Sequence, residues 1–208
     1  RSTSDSLGTA NAVFNAKTGT LTLRDINLSI PSTSAEHCIE WAYSSVGAHD
    51  LIIVLEGTNT LKTTRSDVSA INGNSAYNND GPSLTIKGNG TLDVNGTSYG
   101  IWVSNNISIE GSVVLKAAGT KNDGISTKTS YDGTITIQDT ARVTAIGGTY
   151  GIDAKSCNIT GGTVTAIGGT RAYWRAPTFA AGITVAAGDD AASAVGIATS
   201  AINAQKYV

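Results

Sequence analysis

The feature that most constrains this chain is an internal repeat of short strands. Two adjacent copies read NDGISTKTSYDGTITIQDTARVTAIGGT at 122–149 and YGIDAKSCNITGGTVTAIGGT at 150–170. The stretch at 99–120 aligns with them, and more divergent copies come earlier, at 19–30, 49–63 and 82–97. A repeat of this length indicates a stack, because one unit cannot bury its apolar face without the next.

Within each copy, apolar and polar residues alternate along two strands, which predicts one buried and one solvated face. The expected inward pairs of the first strand are Leu21/Leu23, Ile53/Leu55, Leu84/Ile86, Ile107/Ile109, Ile135/Ile137 and Cys157/Ile159. Those of the second strand are Leu28/Ile30, Leu61/Thr63, Leu92/Val94, Leu115/Ala117, Val143/Ala145 and Val164/Ala166. A third strand in each copy is expected to point Glu40, Ser69, Trp102, Ser126 and Asp153 outward.

These strands predict an all-β fold, a single-stranded parallel β-helix of about six to seven coils. We expect it to be right-handed, by extension of the rule for parallel crossovers. A β-sandwich is the rival fold, but it would show hairpin signals and no self-similar triplets of strands. Residues 1–208 then form one domain, with 1–18 as an N-terminal cap region and 171–208 as a C-terminal cap region.

Composition narrows the range of partners. The formal net charge is -2 and only 14% of residues are charged, so we expect no nucleic-acid partner. The chain contains no apolar run long enough to predict insertion into a membrane. Low cysteine content and a Thr-, Asn- and Gly-rich surface favour an extracellular or cell-surface bacterial protein. Cys38 and Cys157 lie several coils apart in the predicted stack, so both thiols are expected to be free.

Catalytic constellations are hard to find in the sequence. The carboxylates are scattered over different strands and corners, and the only two histidines are His37 and His49. No pattern suggests a nucleophile with its base. We therefore expect a protein that is not an enzyme.

Aromatic residues near the coil corners are the candidate binding groups. Trp102 alternates with inward Ile101 and Val103, so its indole is expected to face solvent beside small serines. Tyr99 and Tyr150 precede the same Gly-Ile step and are expected to line one edge, and Tyr173 and Trp174 belong to a further aromatic run. Exposed rings with polar neighbours suit stacking against sugars. An indole covered by a loop is the alternative for Trp102.

Metal binding is a second candidate. Asp123, within Asn-Asp-Gly, and Asp153 fall near equivalent turns of neighbouring coils. Turn carbonyls and carboxylates between coils could together bind Ca²⁺. The same Asn-Asp-Gly sequence is also an ordinary turn former.

The segments NDGISTK…GTITIQDTARVTAIGGT and YGIDAKSCNITGGTVTAIGGT, with the tail AAGITVAAGDDAASAV…KYV, resemble the secreted bacterial parallel β-helix carbohydrate-binding domains of cellulolytic and gut Firmicutes. The resemblance covers roughly residues 20–208. It implies a non-catalytic module of a larger surface or secreted protein, which binds plant-type polysaccharide with Ca²⁺ between coils. Asp123 matches the Asp of the family's Asp-Gly-Ile step, where Tyr99 and Tyr150 stand in the neighbouring copies.

The sequence thus predicts an extracellular polysaccharide-binding module. The alternative is a structural or adhesive surface solenoid without glycan specificity, and a polysaccharide lyase or glycoside hydrolase is the third possibility.

Overall fold

The computed structural model describes residues 11–33, 36–41, 49–73, 81–127, 132–181, 183, 186–187 and 195–196. All regular secondary structure in this part of the chain is β-strand. The strands are β1 (Ala12–Asn15), β2 (Thr20–Arg24), β3 (Asn27–Ile30), β4 (Ile39–Glu40), β5 (Leu51–Glu56), β6 (Thr58–Thr63), β7 (Ile71–Gly73), β8 (Leu84–Gly88), β9 (Thr91–Gly96), β10 (Ile101–Val103), β11 (Ile107–Ile109), β12 (Val114–Gly119), β13 (Ile125–Thr127), β14 (Thr134–Ile137), β15 (Arg142–Gly147), β16 (Tyr150–Asp153), β17 (Ser156–Ile159), β18 (Thr163–Gly168), β19 (Arg171–Tyr173), β20 (Thr178–Phe179), β21 (Ala186–Ala187) and β22 (Val195–Gly196).

From β2 to β20 the strands form three stacked sheets, each of which takes every third strand. Sheet A has the order β1-β2-β5-β8-β11-β14-β17-β20, sheet B β3-β6-β9-β12-β15-β18 and sheet C β4-β7-β10-β13-β16-β19. From β2 onward each A–B–C set is one coil, so the first coil is β2–β4 and the sixth is β17–β19. Neighbouring coils pair in parallel, as β12 does with β15. The all-β prediction is confirmed, with stacked parallel sheets arranged as in a β-solenoid.

Aliphatic side chains from all three sheets fill the interior. Ile53, Ile86, Ile109 and Ile137 of sheet A are fully buried, as are Ile101 and Ile125 of sheet C. Packing of equivalent residues from coil to coil gives one continuous core, and its burial is the main force that holds the stack together.

The predicted registers of sheets A and B are confirmed from the third coil onward. Ile107 pairs with both Leu84 and Ile135, and Leu115 pairs with both Leu92 and Val143. The second coil is shifted by two residues from the prediction in both sheets. Leu51 rather than Ile53 lies beside Leu84, and Asn59 rather than Leu61 lies beside Leu92. A shift of two keeps the same face inward, so the core is preserved.

In the third strand of the second coil, the predicted register is wrong. Ile71 pairs with Ile101 and Asn72 pairs with Trp102, so Asn72 occupies the position expected for Ser69. All six residues from Val68 to Gly73 are buried, so alternation could not fix the register there.

The shift in the second coil places Asn59 in the interior, fully buried. Its Oδ1 accepts a hydrogen bond from Ile26 N at 3.1 Å, and its Nδ2 donates to Glu56 O at 3.0 Å and Thr91 O at 3.1 Å. Because its polar atoms bond to the backbone of three coils, this amide links neighbouring coils instead of disrupting the core.

The ends of the stack differ in kind. Strand β1 runs antiparallel to β2 and covers the first edge of sheet A. At the other end β19 and β20 still extend sheets C and A, so the stack continues beyond residue 171, where the cap was predicted to begin. Strands β21 and β22 form an antiparallel pair, and most of the predicted cap lies outside the described residues.

Cys38 and Cys157 are free, as predicted. The described residues include no helix that could span a bilayer.

Candidate functional site

Sheet C presents two columns of outward residues that continue from coil to coil. The strand column runs through the outward residue of each strand, and the corner column lies three residues earlier, where the chain turns from sheet B into sheet C. The strand column is Glu40, Asn72, Trp102, Ser126, Asp153 and Trp174. The corner column is His37, Ser69, Tyr99, Asp123, Tyr150 and Arg171.

Every coil builds these positions from one tetrapeptide pattern. The first and fourth residues belong to the two columns, the second is small and the third is apolar. In the third coil the pattern is Tyr99-Gly100-Ile101-Trp102, and in the sixth it is Arg171-Ala172-Tyr173-Trp174. The apolar third residue is at most 1% exposed in both. Its burial turns the fourth residue outward by strand alternation, and the first residue lies in the corner turn that precedes this alternation.

The corner is tight because sheet B ends in glycine where it meets the corner column. Gly96, Gly119, Gly147 and Gly168 align in the third to sixth coils. A Cβ on Gly147 would lie 1.8 Å from Tyr150 O, which no side chain can accommodate without backbone movement. This close passage folds the chain sharply and brings the two columns side by side.

Two aromatic pairs result from this geometry. In the third coil the rings of Tyr99 and Trp102 stack, with centroids 5.3 Å apart and planes inclined by 16°. Tyr150 of the fifth coil and Trp174, just beyond β19, meet edge to face at 5.2 Å and 61°. Trp174 is 37% exposed, and the other three rings are partly exposed. Both pairs therefore offer aromatic surface on the same side of the stack.

One arginine contacts the second aromatic pair, and another follows Trp174 in the sequence. The Arg171 guanidinium carbon lies 5.6 Å from the Tyr150 ring centroid and 5.3 Å from that of Trp174. These are cation–π distances, so the guanidinium and the two rings stabilise one another. Arg175, one residue beyond Trp174, acts electrostatically on Asp153.

Smaller side chains lie between the aromatic pairs in the fourth coil. Asp123 is 4% and Ser126 is 3% exposed, since larger residues flank them in the neighbouring coils. Asp123 Oδ1 accepts a hydrogen bond from Tyr150 N at 3.0 Å, and the nearby Ser126 side chain favours the ionised form of the same carboxyl group. Asp123 therefore joins the fourth and fifth coils.

Burial raises the pKa of both Asp123 and Asp153 on this face. The pKa of Asp123 is raised to about 7, mainly by burial and then by the charge of Asp153, against the opposing hydrogen bonds from Tyr150 N and Ser126. Burial raises the pKa of Asp153 to about 6, while Arg175 lowers it. Burial and both carboxylates also raise the pKa of Tyr99. The carboxyl groups of Asp123 and Asp153 therefore gain or lose a proton close to neutral pH.

The first coils carry a hydrogen-bonded polar cluster instead of rings. His37 Nδ1 lies 2.6 Å from Ser69 O, and because a carbonyl oxygen only accepts, Nδ1 is the donor of this hydrogen bond. Nε2 then accepts from Asn72 Nδ2 at 3.1 Å, and the same amide donates to Glu40 Oε1 at 3.3 Å. This cluster borders the Tyr99–Trp102 pair through Asn72.

The structure places four of the five predicted binding residues on the sheet C face and the fifth in the core. Trp102, Tyr99, Tyr150 and Trp174 all lie on the sheet C face, where the structure brings them together in two pairs. The prediction for Tyr173 is wrong. Its side chain is 1% exposed and packs inward beside Ile152, because it is the apolar third residue of its tetrapeptide.

Asp123 and Asp153 lie close on this face, but they do not occupy equivalent turns. Asp123 belongs to the corner column and Asp153 to the strand column, where Asp153 pairs with Ser126. Within the described part of the chain, no group of three or more His, Cys, Asp or Glu side chains could hold a metal ion.

Arg171, Arg175 and Ser126 were not among the predicted site residues. Aligning Arg171-Ala172-Tyr173-Trp174 with the tetrapeptide at 99–102 would have found the first of them. The same alignment turns Tyr173 inward, but assigning residues 171–208 to a cap region conceals it.

The face combines flat aromatic surface with hydrogen-bonding groups at its centre and two arginines at one end. Such a surface can stack on an apolar ring face while bonding to hydroxyl groups at the ring edge. Comparison of the chain with family models, with curated proteins and with solved structures finds no match.

Proposed function

We propose that this chain is a non-catalytic polysaccharide-binding module of an extracellular or cell-surface bacterial protein. The observation that carries the proposal is the pair of aromatic groups on one face, Tyr99 with Trp102 and Tyr150 with Trp174, with carboxylates between them. Sugars present apolar C–H faces to rings and hydroxyls to polar groups, so both chemistries of the face are used.

The spacing of the rings favours a polymer over a single sugar. Trp102 and Trp174 are separated by three strand spacings along the stack, or about 14 Å. A glycan chain running along the stack axis would reach both pairs in one bound conformation. A right-handed, single-stranded helix would give the face a continuous, slowly twisting path, and this handedness is part of the proposal.

Calcium would have an accessory role in this proposal. Asp123 and Asp153 would be its protein ligands, but one Asp123 oxygen already accepts the Tyr150 N–H. The two carboxylates alone cannot supply the roughly six to eight oxygens that Ca²⁺ takes. Carbonyl or sugar oxygens would have to complete the shell, so we expect Ca²⁺ to strengthen glycan binding rather than to bind tightly by itself.

A binding assay with matched variants tests the proposal. We would measure retention on amorphous cellulose and on pectin, and on a glycan array, for the wild type and for Trp102→Ala/Trp174→Ala. The double variant should lose at least about tenfold in affinity, or ~1.4 kcal/mol. Phe14→Ala is the control, since Phe14 is 48% exposed on β1, away from the face. Thermal unfolding confirms that each variant is folded.

The outcomes separate the candidate functions. A wild type that binds none of the glycans contradicts the module and leaves the structural or adhesive solenoid. Equal binding by the double variant places the glycan elsewhere. Release of soluble or unsaturated sugars, with or without Ca²⁺, would instead establish an enzyme.

A further inference from the structure

One end of the sheet C face holds a cation that is paired with rings instead of with a carboxylate. The Arg171 guanidinium lies over the rings of Tyr150 and Trp174, with its carbon 5.6 Å and 5.3 Å from their centroids. Among the described residues, its side chain forms no ion pair within 4.0 Å and no hydrogen bond. The rings therefore hold the guanidinium in place while its N–H donors stay unused.

An arginine held in this way is ready to bind an anion. Contact with the rings restricts the side chain in advance, so less conformational entropy is lost when a ligand binds. The five N–H donors of a guanidinium form a planar fork that matches the two oxygens of a carboxylate. Arg171 is partly exposed and Trp174 is 37% exposed, so a ligand can reach this group from solvent.

A second arginine adds positive charge at the same end. Arg175 follows Trp174 directly, is exposed, and lowers the pKa of Asp153 through its charge. Asp123 lies two coils away from Arg171 and is 4% exposed, so it presents little carboxylate to solvent. Two accessible guanidinium groups thus outnumber the one partly exposed carboxylate, Asp153. This end of the face is complementary to a negatively charged ligand.

We propose that Arg171 binds the carboxylate of a uronic acid, so that the sheet C face selects an acidic polysaccharide over a neutral one. This inference rests on the proposed polysaccharide binding and names the class of glycan. The Tyr99–Trp102 pair stacks on another sugar of the same chain, and Arg175 adds attraction at longer range. Hydrogen bonds between a guanidinium and a carboxylate are about twice as strong as those between neutral groups, so the carboxylate decides the selectivity.

The test compares polygalacturonate with its methyl ester, two polymers that share a backbone and differ in whether the carboxyl group is charged. Both affinities are measured in EDTA, so that neither gelation of polygalacturonate by Ca²⁺ nor a bridging cation contributes. The wild type should bind polygalacturonate at least about tenfold more tightly than the ester. The ratio of the two affinities should fall as NaCl is raised, because salt screens the charges.

Two substitutions locate the origin of this preference. Arg171→Gln should bring the ratio of the two affinities close to one, because the fork that binds the carboxylate is lost. Arg175→Gln should lower the ratio less, since it contributes charge alone. Arg142→Gln is the matched control, because Arg142 is exposed at the start of β15 on sheet B and the variant removes the same charge from the chain. Thermal unfolding confirms that each variant is folded.

The outcomes separate this inference from the proposed function. A wild type that binds the methyl ester or cellulose as tightly as polygalacturonate overturns the inference and leaves the polysaccharide-binding module in place. An unchanged ratio in Arg171→Gln shows that the carboxylate binds elsewhere, and an equal fall in Arg142→Gln shows a response to net charge alone. Either result also overturns the inference. Failure of the wild type to bind any glycan removes the proposed function, and the uronic acid site with it.

Discussion

Sheets B and C share one backbone repeat and differ in what they show to solvent. On sheet B some outward residues of adjacent coils are alike or complementary: Thr144 lies beside Thr165, and Asp93 beside Lys116. On sheet C the outward residue changes chemistry at every coil, from Trp102 to Ser126 to Asp153. Like neighbours are sufficient to keep a stack in register, so the mixture on sheet C is not needed for folding. The comparison therefore separates the surface that maintains the stack from the surface that can recognise a ligand.

The largest loss of stability is expected for a substitution in the corner that joins sheets B and C. Gly147→Ala should destabilise the protein by about 3 kcal/mol or more, because the new Cβ would collide with backbone. The nearest atoms would be Tyr150 O at 1.8 Å and Tyr150 C at 2.6 Å, followed by Asn122 O at 2.9 Å. Chemical denaturation measures the loss. Thr144→Ala in the same strand is the control and should change stability by less than about 0.5 kcal/mol.

A pH effect should distinguish the two faces. The folded-state pKa of Asp123 is raised, so the folded protein holds this proton more tightly than the unfolded chain does. That contribution is complete below the ordinary carboxyl pKa and is lost as pH rises through about 7. Asp123→Asn should therefore match the wild type at about pH 4 and exceed its stability by about 2 kcal/mol at about pH 8.

Thermal unfolding over this pH range checks the prediction. Asn at 123 can still accept the Tyr150 N–H, so the junction between coils is kept. The control is Asp93→Asn on sheet B, which makes the same change of side chain away from the Asp123–Tyr150 contact. A wild type whose stability rises steadily from pH 4 to pH 8 would contradict the expectation.

The core and surface tyrosines of sheet C should respond differently to loss of a hydroxyl. Tyr173 is buried, and its hydroxyl has no hydrogen-bond partner among the described residues. Tyr173→Phe should raise the free energy of unfolding by about 1 kcal/mol, since a desolvated, unpaired hydroxyl is removed. Tyr150→Phe, at the partly exposed position, should leave stability unchanged. Loss of stability in Tyr173→Phe would mean that the buried hydroxyl is bonded.

The smallest effect is expected on sheet B. Lys116 Nζ lies 4.0 Å from Asp93 Oδ2, with side chains 51% and 39% exposed. Solvent screens such a pair, so Lys116→Ala should cost less than about 0.5 kcal/mol. The variant should also bind glycans like the wild type. A clear loss of binding would show that sheet B takes part in recognition.

Much of the architecture could be predicted because the interior requires strict alternation. From Leu84 onward the inward residues are separated by polar ones, and the predicted registers of sheets A and B are correct there. For the second coil the predicted register was wrong, and the reason is physical. Leu51 to Leu55 are five consecutive apolar residues, so alternation cannot distinguish two registers that differ by two. Three-dimensional pairing, including the bonds of Asn59, resolves them.

The sequence predicted several residues of the candidate site but not the contacts between them. Trp102 was correctly placed outside because Ile101 and Val103 flank it. Its contact with Tyr99 depends on the sharp glycine corner, which no residue spacing reveals. The difference between Asp123 and Asp153 is likewise a matter of which backbone N–H lies nearby.

The tetrapeptide at each corner has a consequence for how such a chain can change over evolutionary time. Its two middle positions are committed to the fold, while its first and fourth are free to vary. Duplication or loss of one whole coil would lengthen or shorten the surface by a single pair of side chains and leave every other pair with its own support. The number of coils and the residues at the corners can therefore change independently. A change in the number of coils alters the extent of the surface, and a substitution at a corner alters its chemistry.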